Sequence, residues 1–202
     1  MRSFHVPTGG NMERIRSLLT AVLTLCLLFI FTPSSAREVK GINFPESVSI
    51  NGTTCKLMGV GIRKKLIINV YLGALYLAQP SQSPAQVISS NQVKRVVIHF
   101  LYSEVGTDQL VEAWNEGFEK NSGSSVTALK DKINRFNSFF TEPMKKGETI
   151  IITYIPEKGT EVVVKDSVKG IIEGQDFMEA LFSMWFGSHP PSDGLKEGML
   201  GD

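Results

Sequence analysis

The amino-acid sequence predicts an α+β fold, in which a large and mainly antiparallel sheet is covered by helices. Two observations carry this prediction. Short apolar runs with strand character come in groups before and after one pair of helical segments, and a third helical segment follows the last group. Strands and helices that are segregated along a chain are typical of α+β domains, whereas strict alternation would indicate a doubly wound sheet.

The first group of predicted strands is built around a tight turn and two apolar runs. Asn51-Gly52 supplies the positive φ angles that a two-residue hairpin turn requires, so one strand ends and another begins there. The three strands that follow are predicted over residues 53–62, 66–78 and 93–101. The run at residues 66–78 contains no charged side chain, so we expect that strand to be buried on both faces.

Two helices are predicted between the groups of strands. Thr107 can cap a helix that continues to about residue 121, and the apolar side chains of this helix fall on one stripe. A second helix is predicted over residues 125–139, where apolar residues recur at helical spacing, and Pro143 prevents its continuation. The aromatic residues on these stripes, Trp114 among them, are predicted to belong to the core.

The last part of the sequence predicts a hairpin, one more strand and a buried helix. The hairpin strands are predicted over residues 148–155 and 160–165 around a four-residue turn, and a further strand over residues 168–172. The segment at residues 177–186 is apolar almost all round, so we expect a deeply buried helix. A short amphipathic tail at residues 195–200 is expected either to pack on its own domain or to dock on a partner.

Residues 1–36 have the composition of a secretory signal peptide. Basic residues precede a short apolar run, and small residues then lead to a predicted cleavage after Ala36. The apolar run is shorter than the roughly 20 residues that span a membrane, so an uncleaved anchor is the less favoured alternative. We therefore predict a periplasmic or secreted protein with one domain over residues 37–202 and no stable membrane span after cleavage. A start at Met12 would give a more compact signal peptide than a start at Met1, so we keep both as alternative initiators.

The composition of the predicted mature domain argues against several classes of function. Removing residues 1–36 takes three arginines and one glutamate from the 21 basic and 20 acidic residues of the chain, which leaves 18 and 19. This near balance gives no electrostatic case for binding nucleic acid or an anionic membrane. His99, His189 and Cys55 show no metal-ligand spacing, and the sequence contains no glycine-rich phosphate loop. We therefore expect neither a metal nor another cofactor.

The segment that starts at Gly59 carries the most specific functional candidate. Gly59-Val60-Gly61-Ile62 leads to Arg63, which the pattern places on a glycine-flanked turn between two apolar strands. An arginine there is either a solvated turn residue or a fixed cation over an apolar cleft. The residues alone leave both alternatives open.

Several motifs occur in a fixed order along the chain. The strand with Gly59, Gly61 and Arg63 leads into a second strand that ends in Gly-Ala-Leu-Tyr-Leu. The motifs that follow are VIHFL at residues 97–101, DQLVEAWNEGF at 108–118, FN at 136–137 and DFMEALFSMWFG at 176–187. This ordered set, which spans about residues 42–201, resembles the chalcone isomerase-like family, and in particular its bacterial, secreted branch.

The resemblance implies an open-faced β-sandwich, in which helices cover one face of a large sheet and a ligand cleft lies between them. In the plant enzymes of this family, an arginine before the long strand polarises the carbonyl of a chalcone while the substrate closes to a flavanone. Arg63 matches that arginine. A fixed guanidinium can stabilise the enolate that develops during ring closure, and lysine lacks its planar fork.

The other positions of the family's site are mostly changed in this sequence. Tyr71 stands where the enzymes have threonine, Leu110 where they have tyrosine, and Gly117 where they have asparagine. Ser183 matches a serine or threonine of the last helix, and Met184 follows it. Hydrogen bonds from the lost polar groups would orient the substrate ketone, so their absence argues against efficient ring closure.

Three functions remain as hypotheses. The first is non-catalytic binding of a small anionic amphiphile such as a fatty acid, whose carboxylate would pair with the guanidinium, because plant relatives with this fold include fatty-acid-binding proteins that keep the arginine. The second is an isomerase in which Arg63 is catalytic. The third is an envelope interaction module with no small ligand. The predicted ligand-binding residues are Arg63, Tyr71, Leu110, Ser183 and Met184.

Overall fold

The computed structural model describes residues 36–202. Its strands are β1 (Ala36–Val39), β2 (Ile42–Pro45), β3 (Ser47–Ile50), β4 (Thr53–Lys65), β5 (Ile68–Leu77), β6 (Lys94–Phe100), β7 (Glu104–Val105), β8 (Met144–Lys145), β9 (Thr149–Ile155), β10 (Gly159–Val164) and β11 (Ser167–Ile172). Its helices are α1 (Pro84–Ser89), α2 (Thr107–Ser122), α3 (Ser125–Ala128), α4 (Lys130–Asn137), α5 (Gln175–Phe186) and α6 (Asp193–Leu200). The predicted signal peptide lies outside the described residues except for Ala36, and its cleavage stays a prediction.

Seven strands form the central sheet, in the order β11-β10-β9-β6-β5-β4-β3. Every neighbouring pair in this sheet is antiparallel, so the predicted α+β class with a mainly antiparallel sheet is confirmed. Two short antiparallel pairs lie outside the sheet, β1 with β2 and β7 with β8. None of the described helices combines the length and the apolar character that crossing a membrane requires.

The two faces of the sheet carry separate apolar cores. Helices cover one face, where side chains of β5, β6, β9 and β10 pack against α2, α4, α5 and α6. The β1–β2 hairpin contributes Phe44 to the core on the other face, together with Leu72 and Tyr76 of β5. Strand β5 thus supplies both cores. Its residues from Tyr71 to Leu77 are all buried, as predicted. The strand begins only at Ile68, however, and Leu66 and Ile67 are exposed in the turn before it, so the prediction is wrong for the start of this run.

Some local predictions are wrong or incomplete. The helix predicted over residues 125–139 is interrupted at Leu129, whose φ of −95° and ψ of 4° separate α3 from α4. Serine and β-branched residues in α3 are weak helix formers, which accounts for the break. Thr107 is the first residue of α2 and not its cap. The β1–β2 and β7–β8 pairs are not predicted, because segments of two to four residues show too little alternation.

The C-terminal helix α6 packs on its own domain through three glycines. A Cβ atom on Gly61 would overlap the carbonyl group of Leu195, and one on Gly59 would overlap the carbonyl oxygen of Gly198. Gly198 is confined as well, because a Cβ atom there would lie 2.7 Å from the Cα atom of Gly61. Of the two alternatives for the tail, the structure therefore shows packing against β4 within the domain.

We predict opposite effects from adding one methyl group at two glycines of α6. Gly198→Ala should lower the free energy of unfolding by about 1–3 kcal/mol, because the methyl group must displace the backbone at Gly61. Gly194→Ala is the matched control, since nothing lies within 4 Å of its Cβ position. The helix propensity of alanine should leave that variant unchanged or more stable by up to about 1 kcal/mol. Urea denaturation measures both, and equal stabilities would contradict the close contact.

A lysine is fully buried beneath α1. The Nζ atom of Lys94 donates hydrogen bonds to the carbonyl oxygens of Val87 and Ile88 at 2.6 and 3.3 Å, and so satisfies the carboxyl end of this short helix. Nζ also lies 5.2 Å from the ring centroid of Phe182. Burial lowers the pKa of Lys94 from 10.5 to about 8, and the negative charge of Glu179 opposes this shift.

The stability contributed at Lys94 should rise with pH. Between about pH 8 and pH 10.5 the unfolded chain keeps the proton on this lysine while the folded protein releases it, so the free energy of unfolding increases there. We expect the free energy of unfolding of the wild type, relative to that of Lys94→Met, to increase by about 2 kcal/mol between roughly pH 7 and 9.5. Urea denaturation at each pH measures it. Lys56→Met replaces an exposed lysine, so its free energy of unfolding should change with pH as that of the wild type does. A constant difference between wild type and Lys94→Met would contradict the prediction.

Candidate functional site

The structure places Arg63 near the end of strand β4 and not on the predicted turn. Its partner in the β4–β5 register is Tyr71, whose ring belongs to the helix-covered core, so both side chains point toward the helices. Directly after this pair the register skips Val70, and Lys64 pairs with Asn69. Such a bulge redirects neighbouring side chains and is frequent in sheets beside functional sites.

One hydrogen bond ties Arg63 to the segment between α5 and α6. Its Nη1 atom donates to the carbonyl oxygen of Pro191 at 3.0 Å. Among the described residues, this is the only hydrogen bond of the guanidinium, and no carboxylate lies within ion-pair distance of it. A guanidinium carries five donors, so most of them remain available to a ligand.

A cavity of about 190 Å³ lies beside Arg63. Its walls come from β4 and β5, from α2, from α5 and from the segment that contains Pro191. Trp114 of α2 and Trp185 of α5 form the wall on the helix side. Four of the five predicted ligand-binding residues line this cavity, namely Arg63, Tyr71, Leu110 and Met184.

A second cavity, of about 520 Å³, adjoins the first and shares several of its lining residues. Arg63, Tyr71 and Leu110 line both cavities. The second one continues along Val70 and Phe100 and opens toward the turn between β4 and β5. Small-molecule sites usually occupy roughly 300–1,000 Å³. The two cavities together have the volume of such a site.

Two other residues that line the smaller cavity, Tyr71 and Trp114, carry buried hydrogen-bond donors. The hydroxyl oxygen of Tyr71 accepts a hydrogen bond from Nε1 of Trp185 at 3.3 Å, so the Tyr71 hydroxyl can still donate its own hydrogen. Burial raises the pKa of Tyr71 against the opposing effects of the Arg63 charge and the Trp185 hydrogen bond, which keeps this hydroxyl protonated. Trp114 is 5% exposed, and its Nε1 has no hydrogen-bond partner in the described part of the chain. An unpaired buried donor costs about 1–3 kcal/mol.

Aromatic packing holds Trp114 in one orientation. Its ring centroid lies 5.4 Å from that of Phe136, 5.6 Å from that of Phe140 and 5.9 Å from that of Trp185. The prediction that Trp114 belongs to the core is confirmed. The apolar stripe that supports this prediction carries no information about the indole N–H, so the sequence does not identify Trp114 as a residue of the site.

Ser183 does not join the other predicted residues. Its hydroxyl donates to the carbonyl oxygen of Ala180 at 2.6 Å, and its side chain lines a separate depression with Asn121 and Glu179. Consecutive residues of a helix point about 100° apart, so Ser183 and Met184 face different sides of α5. The structure therefore brings Met184 to Arg63 and leaves Ser183 outside that cavity.

Met184 occupies the space beside Gly117 of α2. A Cβ atom on Gly117 would lie 2.8 Å from the Cε atom of Met184. The two helices thus pack closely at the position where the resemblance places an asparagine in the enzymes. Together with Leu110, the Met184 thioether makes this part of the wall apolar.

Neither metal ligands nor a reactive thiol is found at this site. Within residues 36–202, His, Cys, Asp and Glu side chains form no group of three or more that would hold a metal ion. Cys55 is buried on the opposite face of the sheet, in the core that contains Phe44. Burial raises the pKa of the Cys55 thiol, although the charge of Arg95 opposes the shift, so the nucleophilic thiolate is disfavoured.

Three comparisons with known proteins bear on this fold. Among curated proteins, no sequence matches the chain. The crystal structure of a fatty-acid binding protein from Arabidopsis thaliana is similar, with a TM-score of 0.66, 18% sequence identity, and an alignment that covers 83% of this chain and 96% of that one. This similarity concerns the fold, and it confirms the predicted open-faced β-sandwich. The sequence model of the family described as chalcone isomerase-like matches residues 36–201, so the chain belongs to the chalcone isomerase-like family.

Proposed function

We propose that this protein is a non-catalytic binder of a small anionic amphiphile, such as a fatty acid, and that Arg63 holds the anionic end. The observation that carries the proposal is the arrangement in the smaller cavity. A half-buried guanidinium lies there with two buried neutral donors, in a wall that is otherwise mainly apolar. Ligand sites commonly combine apolar walls with a few polar groups placed in this way.

The anionic end would bind at three donors. The guanidinium of Arg63 offers a planar fork that pairs with a carboxylate through two parallel hydrogen bonds. Tyr71 and Trp114 line the same cavity, and their hydroxyl and indole N–H would add neutral donors. Glu116, the acidic side chain that lines both cavities, forms its ion pair with Lys120 and none with Arg63. The hydrogen bond and the charge of Lys120 lower the pKa of Glu116, and the charge of Arg63 adds to this effect.

The apolar end would extend into the larger cavity, along Val70, Phe100 and Leu110. Each methylene group that leaves water there contributes about 0.8 kcal/mol, so the length of the chain would set much of the affinity. The structurally similar Arabidopsis protein is a fatty-acid binding protein, which supports this class of ligand for the fold.

The isomerase alternative has less support from the geometry. Leu110 and Gly117 stand where the resemblance expects polar side chains, and Met184 fills the space beside Gly117. The oxygen of Tyr71 already accepts a hydrogen bond from Trp185. Arg63 would have to polarise a substrate ketone with few groups to orient it, and poor orientation lowers the rate of ring closure strongly.

Titration calorimetry with laurate and with dodecanol tests the role of Arg63. The two ligands have the same alkyl chain and differ in charge. Arg63→Ala should weaken laurate binding about 10- to 100-fold, which corresponds to the loss of charge-assisted hydrogen bonds, and should leave dodecanol binding nearly unchanged. Lys64→Ala is the matched control, because this exposed neighbour lines neither cavity.

Two results would contradict the proposal. One is that neither ligand binds the wild type, and the other is that Arg63→Ala binds laurate as tightly as the wild type does. We also expect the absorbance of a chalcone to decay at the same rate with either protein as in buffer alone. A faster decay that depends on Arg63 would support the isomerase alternative instead.

The proposal includes a location in the periplasm or outside the cell, because residues 1–36 have the pattern of a signal peptide. Intact-mass measurement of the protein purified from its host should therefore give a chain that begins at Arg37. A chain that begins at Met1 or Met12 would contradict the predicted cleavage.

A further inference from the structure

Four large apolar side chains are exposed at one place, the mouth of the larger cavity. Leu66 and Ile67, between β4 and β5, are 92% and 95% exposed. Ile68 and Tyr102 are 43% and 41% exposed, and they line the larger cavity with Leu66. Elsewhere in the described chain, the only exposed large apolar side chain is Val168. Apolar residues that cluster on a surface in this way mark sites of contact with a protein or a membrane.

The fold itself holds this turn in the solvent. Lys65 pairs with Ile68, so Leu66 and Ile67 form a two-residue hairpin loop, a position where glycine, asparagine and aspartate predominate. Leu66 has a φ of 56°, in the left-handed region that residues other than glycine and asparagine seldom adopt. Two bulky apolar residues thus replace the polar residues that the turn geometry favours.

Positive charge lies directly beside this apolar tip. Lys64 and Lys65 at the end of β4 are both exposed, and neither forms an ion pair with another described residue. Glu112 and Glu116 of α2 line the cavity behind the turn. Although the predicted mature chain is nearly neutral as a whole, its tip therefore combines two apolar side chains with two free lysines.

The size of this patch favours a bilayer over a protein as its partner. A stable protein interface buries roughly 1,000 Å² or more with close complementarity, which a patch of four side chains does not provide. A bilayer accepts single apolar side chains without matching their shape, and lysines beside them reach the lipid phosphates.

We propose that the β4–β5 turn docks the protein on the surface of a bilayer that contains anionic phospholipids. Leu66 and Ile67 enter the boundary between headgroups and acyl chains, while Lys64 and Lys65 contact phosphates. Docking in this orientation places the mouth of the larger cavity against the lipid. The docking itself does not require a bound ligand, whereas the passage of a fatty acid through this mouth rests on the proposed function.

Co-flotation of the ligand-free protein with vesicles made of equal parts phosphatidylcholine and phosphatidylglycerol tests this docking. The wild type should float with the vesicles. Leu66→Asp combined with Ile67→Asp should lower the partition coefficient on the order of 100-fold, since each buried apolar side chain contributes about tenfold. Val168→Asp is the matched control, because it places the same charge at an exposed apolar residue of β11, and it should float like the wild type.

A second variant separates the electrostatic contribution. Lys64→Glu combined with Lys65→Glu should weaken binding to the mixed vesicles at least about 30-fold, because each lysine near an anionic surface contributes about fivefold, and should change binding to pure phosphatidylcholine much less. Equal losses on both kinds of vesicle would overturn the role given to the lysines.

Three results would overturn the docking proposal. The first is that the wild type does not float with the vesicles. The second is that the Leu66→Asp/Ile67→Asp variant floats as well as the wild type does. The third is that the wild type sediments as a dimer and this variant does not. The last result would show that the turn contacts a second copy of the chain. Flotation uses ligand-free protein and the laurate titration uses no vesicles, so failure of either proposal is recognised independently of the other.

Discussion

The packing of α6 on the glycines of β4 is the contact on which the site depends. Gly59 and Gly61 let the backbone of α6 approach the strand, and Arg63 follows on the same strand. Helix α6 begins at Asp193, so its position also fixes Pro191, whose carbonyl oxygen accepts the hydrogen bond from Arg63. Strand β4 thus carries both the glycines that contact the helix and the arginine of the site. The C-terminal segment supplies both helix α6 and Pro191, which lines the cavity.

Much of this framework is predictable from local sequence patterns. The uncharged run at residues 66–78 predicts a strand buried on both faces, and residues 71–77 of it are so buried. The apolar segment at 177–186 identifies the buried helix α5. The role of the glycines is different. Locally, Gly59 and Gly61 indicate a turn, whereas the structure shows that they make room for a helix from the far end of the chain. Such a contact between distant segments leaves no local periodic pattern.

The site is predictable only in part, for a related physical reason. The resemblance to a family identifies Arg63, and helical periodicity identifies Trp114 as a core residue. Whether a buried N–H finds a partner depends on every element that packs around it, so the unpaired donor of Trp114 emerges only from the fold. The same holds for Ser183. The family resemblance groups it with Arg63, whereas its position on helix α5 leaves it outside the cavity that Arg63 lines. An arginine among apolar walls and neutral donors suits the holding of an anion better than the activation of a ketone.

The position of the two tryptophans has a practical consequence. The chain contains only Trp114 and Trp185, and both rings lie in the wall of the smaller cavity, with their centroids 5.9 Å apart. All indole fluorescence of the molecule therefore originates at this wall, and Nε1 of each ring lies in a different polar environment there. A molecule that enters the cavity changes the surroundings of both fluorophores at once. Intrinsic tryptophan fluorescence therefore reports whether the cavity is occupied, without an attached label.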